Sequence, residues 1–263
     1  MMSALPVPGF AWKDSEGQNV LDFIPEAPFA DVRLFARGPF LDGTGGMARS
    51  IRQSLLPLLG EPSLLLAPKQ VHGTTILDSE PENALPHIVE ADGVFLTRAD
   101  MEASLRFADC APVVLMPSAS LAERTEPWVL LLHSGFKGTV QNIVKAGAQK
   151  ISARYGDEAL SELFAWVGPC IGGGNYPRRL EEWTERGLRS FHEENVYCEE
   201  PHFYFDIAAE LRLQLLKEGL DEERIFMAYV DTFDQPESCY SYRRGDREDR
   251  MFLWTCLNKS WPG

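Results

Sequence analysis

The sequence predicts an α+β fold, a single layered domain of mixed β-sheets flanked by helices. Three observations carry that expectation. Stretches with strand character and stretches with the 3.6-residue period of helices are interspersed without strict alternation, which argues against a doubly wound sheet. A chain of 263 residues, 44% of them hydrophobic, can bury a large core. No Ser/Gly linker, low-complexity run or repeat interrupts the middle, so one domain over residues 1–263 is expected.

Residues 1–30 carry Pro6, Pro8, Pro25 and Pro28 and read as extended, with a hairpin through Glu16-Gly17-Gln18-Asn19. Val32 to Ala36 is a strand. Gly43-Thr44-Gly45-Gly46 leads into a helix from Met47 to Leu59, stopped by Gly60. A Gly-rich loop before a helix invites a phosphate, but this one lacks the Lys-Ser/Thr of a P-loop, and a flexible turn is the plainer reading. Leu64 to Ala67 is a short buried strand, followed by Gln70-Val71-His72-Gly73, and Thr74 to Asp78 reads as its continuation. Ala91 to Thr97 is a turn and then a strand. Phe107 to Met116 reads as one strand with Cys110 near its mouth. Pro112 has no N–H for a ladder, so pairing is expected to start after it.

Ser118 to Pro127 reads as a polar loop, and Trp128 to Leu132 as a buried strand that delivers His133. Val140, Ile143, Val144, Gly147 and Ile151 then fall at helical spacing, with Thr139 as N-cap and Gly156 as stop. Leu163 to Val167 is a strand leading to Gly168-Pro169-Cys170-Ile171-Gly172-Gly173-Gly174. Leu180, Trp183, Gly187, Leu188 and Phe191 mark a helix. Asp206 caps another that runs to Glu218, before Gly219. Ile225 to Val230 and Met251 to Leu257 complete the strands.

A formal charge of −14 argues against binding to a nucleic-acid backbone, which needs clustered Lys and Arg. The one dense basic cluster, Arg243, Arg244, Arg247 and Arg250, is interrupted by acids and reads as a local anion site. Met1 to Phe10 lacks the basic start and apolar stretch of a signal peptide, and no run approaches a membrane span. The five scattered cysteines do not suggest a disulfide framework, so a reducing cytoplasm fits best.

Cys110, His72 and His133 each stand beside a small, flexible residue at a strand end. Three ligands of types N, S and N with an open fourth position match a catalytic zinc, which brings bound water to a pKa of about 7. The plainer reading is two loop histidines and a core thiol. Two His, one Cys and an axial Met also describe a blue-copper site. Met116, however, lies about 20 Å along the same strand from Cys110. Five histidines with no His-x-His pair are too few for a multicopper oxidase.

A metal-free route would use Cys110 as thiolate with His72 or His133 as base. Asp109 either orients that base or is a plain surface carboxylate. Asp92 is a general acid or base, or a turn residue accepting backbone bonds. Cys170 reads as a buried structural thiol, and Cys198, Cys239 and Cys256 have no evident role. His87, His192 and His202 read as surface groups. Arg243 and Arg244, flanked by Tyr240 and Tyr242, could hold a phosphate in bidentate fashion, or be a solvated pair among Asp246, Glu248 and Asp249.

Taken in order, Gln70-Val71-His72-Gly73, Ala91-Asp92-Gly93-Val94, Ala108-Asp109-Cys110-Ala111-Pro112-Val113, His133-Ser134-Gly135-Phe136-Lys137-Gly138, Gly168-Pro169-Cys170-Ile171-Gly172 and Ser241-Tyr242-Arg243-Arg244 resemble one family. It is the laccase-domain family of purine nucleoside phosphorylases, long called multicopper polyphenol oxidases. The resemblance covers roughly residues 30–257. It implies a fold similar to that of the cytotoxic-necrotizing-factor-like cysteine hydrolases, and a zinc (copper being possible) held by His72, Cys110 and His133. The implied activities are phosphorolysis of adenosine, inosine, guanosine and methylthioadenosine, and adenosine deamination. The implied partners are purine nucleosides and phosphate, for a monomer or homodimer. Cys110, His133 and Asp92 are then the catalytic candidates. Arg243 and Arg244 are the phosphate candidates, with Lys137 and Arg37 beside them.

Three departures bear on substrate preference and rate. Phe136-Lys137 stands where the family usually has Trp-Arg, and Lys137 lacks the guanidinium fork. Tyr176-Pro177 stands where Tyr-Glu is common. Phe35 to Phe40 barely resembles the family's N-terminal Ser-Thr-Arg segment. A metal-independent cysteine hydrolase and a non-catalytic nucleoside binder remain the rival classes, and a copper polyphenol oxidase is the weakest.

Overall fold

The computed structural model describes residues 9–259, so Pro6 and Pro8 lie outside the described residues. The expected hairpin forms from β1 (Phe10–Ser15) and β2 (Gln18–Phe23). Its two turn residues, Glu16 and Gly17, both have positive φ, the turn geometry that matches strand twist. β3 (Ala30–Phe35) follows. The helix expected over Met47 to Leu59 is two, α1 (Ala48–Ser54) and α2 (Leu56–Leu59). They break at Leu55 because Pro57, in the first turn of α2, cannot extend the N–H ladder of α1.

β4 (Leu64–Leu66) and β5 (Ile76–Asp78) are not one continuing strand: β4 pairs with β7 (Met101–Phe107) in one sheet, and β5 with β6 (Gly93–Leu96) in the other. The stretch expected as a single strand from Phe107 is also divided. β7 ends at Phe107, and β8 (Ala111–Pro117) begins a new sheet after the turn at 108–110. Pairing includes Pro112, which sits opposite His133. Its missing N–H is no obstacle there, and its carbonyl accepts the Gly168 N–H (2.9 Å).

The polar loop after β8 contains a helix, α3 (Ala119–Thr125), capped by Ser118 Oγ, which accepts the Leu121 N–H. β9 (Val129–Ser134) carries His133 as its penultimate residue. The helical stretch beyond it is again divided, into α4 (Phe136–Val140) and α5 (Ile143–Tyr155). The cap of α5 is Asn142, in the left-handed region, rather than Thr139, whose hydroxyl donates to Gly135 O inside α4.

β10 (Leu163–Val167) and α6 (Glu182–Ser190) follow. A small unanticipated hairpin, β11 (Val196–Glu199) with β12 (His202–Phe205), comes next. Asp206 caps α7 (Ile207–Lys217) as expected, and β13 (Ile225–Met227) and β14 (Met251–Leu257) complete the chain.

The strands form two mixed six-stranded sheets, in the orders β1-β2-β3-β14-β7-β4 and β13-β10-β8-β9-β6-β5. Alternation along the central strands explains the layering. Val114 and Met116 of β8, with Val129 and Leu131 of β9, pack with Leu34, Leu105 and Leu253 of the first sheet. Val113, Leu115, Leu130 and Leu132 face the other way, onto Ile143, Val144 and Ile151 of α5 and Leu211 of α7. Strands buried on both faces read as continuous apolar runs, which is why β8 and β9 stood out in the sequence. The result is the expected α+β arrangement of mixed sheets flanked by helices. Among the described residues no helix is long and apolar enough to cross a membrane.

Candidate metal centre and its cleft

Cys110 sits where the chain crosses from the first sheet to the second. Asp109 makes that crossing with φ at 80°, in the left-handed region that Asp tolerates better than most residues. Its carboxylate accepts from Thr232 Oγ1 (2.8 Å) and from the Arg243 N–H (2.7 Å), and its carbonyl accepts the Ile171 N–H (2.9 Å). Asp109 is therefore a buried anchor for three segments rather than a surface carboxylate or an orienter of a base. Cys110 follows directly from it, partly buried at the seam between the sheets.

Asp92 organises the two histidines. It is fully buried before β6, and its carboxylate accepts the backbone N–H groups of Val71, His72 and Gly73 at 3.1, 2.9 and 2.7 Å. That nest holds His72 at a φ of 61°, and Gln141 Nε2 donates to its carbonyl (2.8 Å). His133 Nδ1 donates to Asp92 Oδ1 (2.8 Å) and the His133 N–H to the Asp92 carbonyl (2.7 Å). The imidazole is thereby fixed with Nε2 turned to Cys110. Asp92 does not line the cleft, so its place is that of a positioning residue behind the histidines.

The ligand atoms of His72, Cys110 and His133 all lie within 4.8 Å of one another. The two imidazoles meet edge to face at 5.0 Å. The approach is tight enough to require Gly135: a Cβ there would come within 2.5 Å of Cys110 Sγ and 3.1 Å of His72 Cδ2. Met116 is buried between the sheets, which removes it as an axial ligand.

The electrostatics favour a thiolate beside an imidazolium. Burial would push the Cys110 thiol up, but the His133 charge and hydrogen bonds from both histidines outweigh it and bring it down to about 6. Burial would push His133 down, but the Cys110 thiolate and the Asp92 hydrogen bond raise it to about 9. The Asp92 carboxyl, against the effect of burial, is held below its ordinary value by the His133 and Gly73 hydrogen bonds and the His133 charge. An N, S, N donor set with a thiol already drawn toward its ionised form fits a metal ion, with room for a further ligand on the cleft side. By contrast, burial and the nearby Asp206 and Asp231 carboxylates push the Cys170 thiol well above its ordinary range, as suits a structural thiol.

These three residues line a cleft of about 1130 Å³. Its walls carry Arg49, Lys69, Arg106, Arg243, Arg247 and Arg250, in a chain whose formal charge is −14. A cationic well in an acidic protein draws anions.

Of the basic residues singled out in the sequence, Arg243, Arg247 and Arg250 reach the cleft, and Arg244, Lys137 and Arg37 do not line it. The Arg244 guanidinium donates to the carbonyls of Thr232, Phe233 and Cys239 and pairs with Asp246. Arg37 pairs with Asp246 and lies over the Tyr240 ring at 4.5 Å. Lys137 lies over the Trp183 ring at 4.9 Å.

The Gly-rich loop lines the cleft through Gly46, but two of its N–H groups are already engaged. Its Gly43 and Gly45 N–H groups donate to the Asp249 carboxylate at 3.1 and 3.2 Å, tying it to the basic segment. Arg49, Lys69 and Arg106 were not singled out, because nothing local marks three cations on separate segments as neighbours. Tyr176, which also lines the cleft, stood in the sequence only as part of a departure from the family pattern.

A model of the family described as multi-copper polyphenol oxidoreductase laccase matches residues 48–258. A protein of Xylella fastidiosa named purine nucleoside phosphorylase is 27% identical over 253 residues, covering 91% of this chain and 92% of the relative. A purine nucleoside phosphorylase of Rickettsia conorii is 26% identical over 183 residues, 68% of this chain and 70% of the relative. Among solved structures, YlmD from Geobacillus stearothermophilus superimposes with a TM-score of 0.78 at 24% identity, covering 97% of this chain and all of that one.

Proposed function

The chain belongs to the multi-copper polyphenol oxidoreductase laccase family, and from that premise we propose that it is a zinc-dependent purine nucleoside phosphorylase with an accompanying adenosine deaminase activity. The observation that carries the reading is one juxtaposition: an N, S, N ligand set lines a cationic cleft in an acidic protein. Names of relatives supply the reaction, and the cleft supplies what that reaction needs. Zinc is favoured over copper by an open three-ligand site from which Met116 is turned away between the sheets, and by the supply of only five histidines. Adenosine, inosine, guanosine and methylthioadenosine are the proposed nucleosides, and the cytoplasm the proposed compartment.

In phosphorolysis, phosphate attacks the ribose C1′ and the purine leaves with the electron pair of the glycosidic bond. Arg243 presents an unengaged guanidinium edge to the cleft, its one polar side-chain contact among the described residues being a long bond to Pro177 O (3.4 Å), and it holds the phosphate there. Asp92 keeps His72 and His133 in register and fixes the His133 proton on Nδ1. Cys110, His72 and His133 would hold the zinc, which when bound supplies Lewis-acid stabilisation of developing negative charge.

The test is to measure metal content by elemental analysis and to assay adenosine turnover with and without phosphate, in wild type and in His133→Ala. About one zinc per chain and phosphate-dependent release of adenine, both lost in the variant, support the proposal. Phosphate-independent inosine reports the deaminase reaction. A folded, metal-free wild type that turns over no nucleoside overturns the reading.

A further inference from the structure

Arg243 and Arg244 are adjacent in sequence and opposite in circumstance. Arg244 is held by three carbonyls and a carboxylate, whereas among the described residues Arg243 makes a single long polar contact through its side chain. An exposed arginine with free donors samples many rotamers, and ordering it at a ligand costs entropy. Something has to hold it over the cleft if it is to bind an anion beside the metal centre.

The Tyr176 ring is placed to do so. The Arg243 guanidinium lies over its face at 4.7 Å, within cation–π range. The ring is itself braced. Arg178 Nη1 donates to the Tyr176 hydroxyl (2.9 Å), and Phe136 lies 6.0 Å from the ring. Arg178 is fixed in turn: it pairs with Glu181, donates through Nε to Thr184 Oγ1 (3.3 Å) and stacks on Phe136 at 4.1 Å. Its backbone also exchanges two hydrogen bonds with Phe203. The main chain of Arg243 is pinned separately, by its N–H on Asp109 next to Cys110. Tyr176, Arg243, Cys110 and His133 all line the one cleft.

We infer that Tyr176 is a positioning residue that sets the Arg243 guanidinium for the anionic co-substrate, inorganic phosphate, beside the metal centre. This deepens the proposed function and rests on its placing of phosphate at Arg243. A flat ring leaves the edge of a stacked guanidinium, with its N–H donors, directed away to bind oxygen. The aromatic ring performs this task, and the hydroxyl serves only to steady it.

The experiment reads phosphate affinity directly, by 31P NMR titration of inorganic phosphate into the zinc-loaded protein, alongside KM for phosphate and for adenosine. Tyr176→Leu is expected to weaken phosphate about tenfold by both measures, with zinc content retained and KM for adenosine within about twofold. Tyr176→Phe, which keeps the ring, recovers phosphate affinity to within about threefold. Combined with Arg243→Ala, Tyr176→Leu adds no further loss, because both act through one guanidinium. Wild-type phosphate affinity in a folded Tyr176→Leu protein, additive losses in the double variant, or a wild type that binds no phosphate would overturn the inference. If phosphate binds as described but no nucleoside is turned over, the assignment of Tyr176 stands and the phosphorylase reading falls.

Discussion

Asp92 and Glu102 are both buried carboxylates, one in each half of the sheet pair, and both are held below their ordinary pKa by hydrogen bonds that outweigh the effect of burial. Glu102 takes Arg52 through two bonds (2.6 and 2.9 Å), Trp254 Nε1 (2.9 Å) and the Ser63 N–H (3.2 Å). Each of these bonds ends in protein, and the ion pair is nearly sealed from solvent. Asp92 takes three loop N–H groups and His133, and through His133 and His72 its bonds lead on to candidate ligand atoms that line a cleft. A buried, acid-shifted carboxylate is therefore not in itself a sign of function. What distinguishes the two is whether the groups it orients still have something left to bind.

That difference can be broken from either side. The largest effect is expected from His133→Ala, which removes a proposed ligand: zinc falls to background and phosphorolysis drops beyond about a thousandfold. A variant that keeps one zinc per chain would show that the centre lies elsewhere. Glu102→Ala should do the converse. It leaves Arg52 as a buried charge without its partner and costs about 3–5 kcal/mol of stability, read from urea denaturation, while the folded fraction keeps its zinc. Asp92→Asn falls between the two. It retains the shape but weakens the acceptor that orients His133, so zinc affinity should fall about 10- to 100-fold without the stability loss of Glu102→Ala. Equal destabilisation by the two carboxylate variants, with metal unaffected in both, would erase the distinction.

Much of the frame that holds these groups was legible locally. Strands β8 and β9 are apolar on both faces, Asp206 caps its helix, and the first hairpin turns at Glu16-Gly17. Two missed elements carried a signal. Met101, Ala103, Leu105 and Phe107 alternate along β7, and Ser118 caps α3. Other features could not be read locally. Whether the residues after Leu66 continue one strand or cross to the other sheet is decided by pairing with distant residues. The histidines and cysteine were recognisable by type and by the residues around them, but the role of Asp92 depends on a nest of N–H groups some twenty positions away. Arg243 and Arg244 look alike in sequence, and only the fold turns one to the cleft and the other to main-chain carbonyls.

The smallest expected effect separates the two carboxylates by the protons they control. Cys110 is lowered from 9.0 to about 6, so its thiolate is present above about pH 6 and is lost as the pH falls through that value. His133 is raised from 6.5 to about 9, so its imidazolium persists until the pH rises through about 9. Between those values the pair carries one proton, on His133. Zinc can take His133 Nε2 only when that nitrogen has lost its proton. Near pH 7.5, zinc binding should therefore release about one proton per metal from this pair, falling toward none above pH 9. Titration calorimetry in two buffers of different ionisation enthalpy counts it. Glu102, held below 4.5, gives stability that is present above that value and lost only as the pH falls through its lower folded value. Its window does not overlap the one set by Cys110 and His133, so Glu102→Gln should leave the count unchanged. A proton count near zero in wild type at pH 7.5 would mean that the free site rests with His133 neutral. In that case Asp92 would orient the ring without sustaining its charge, and the two buried carboxylates would be more alike than their surroundings indicate.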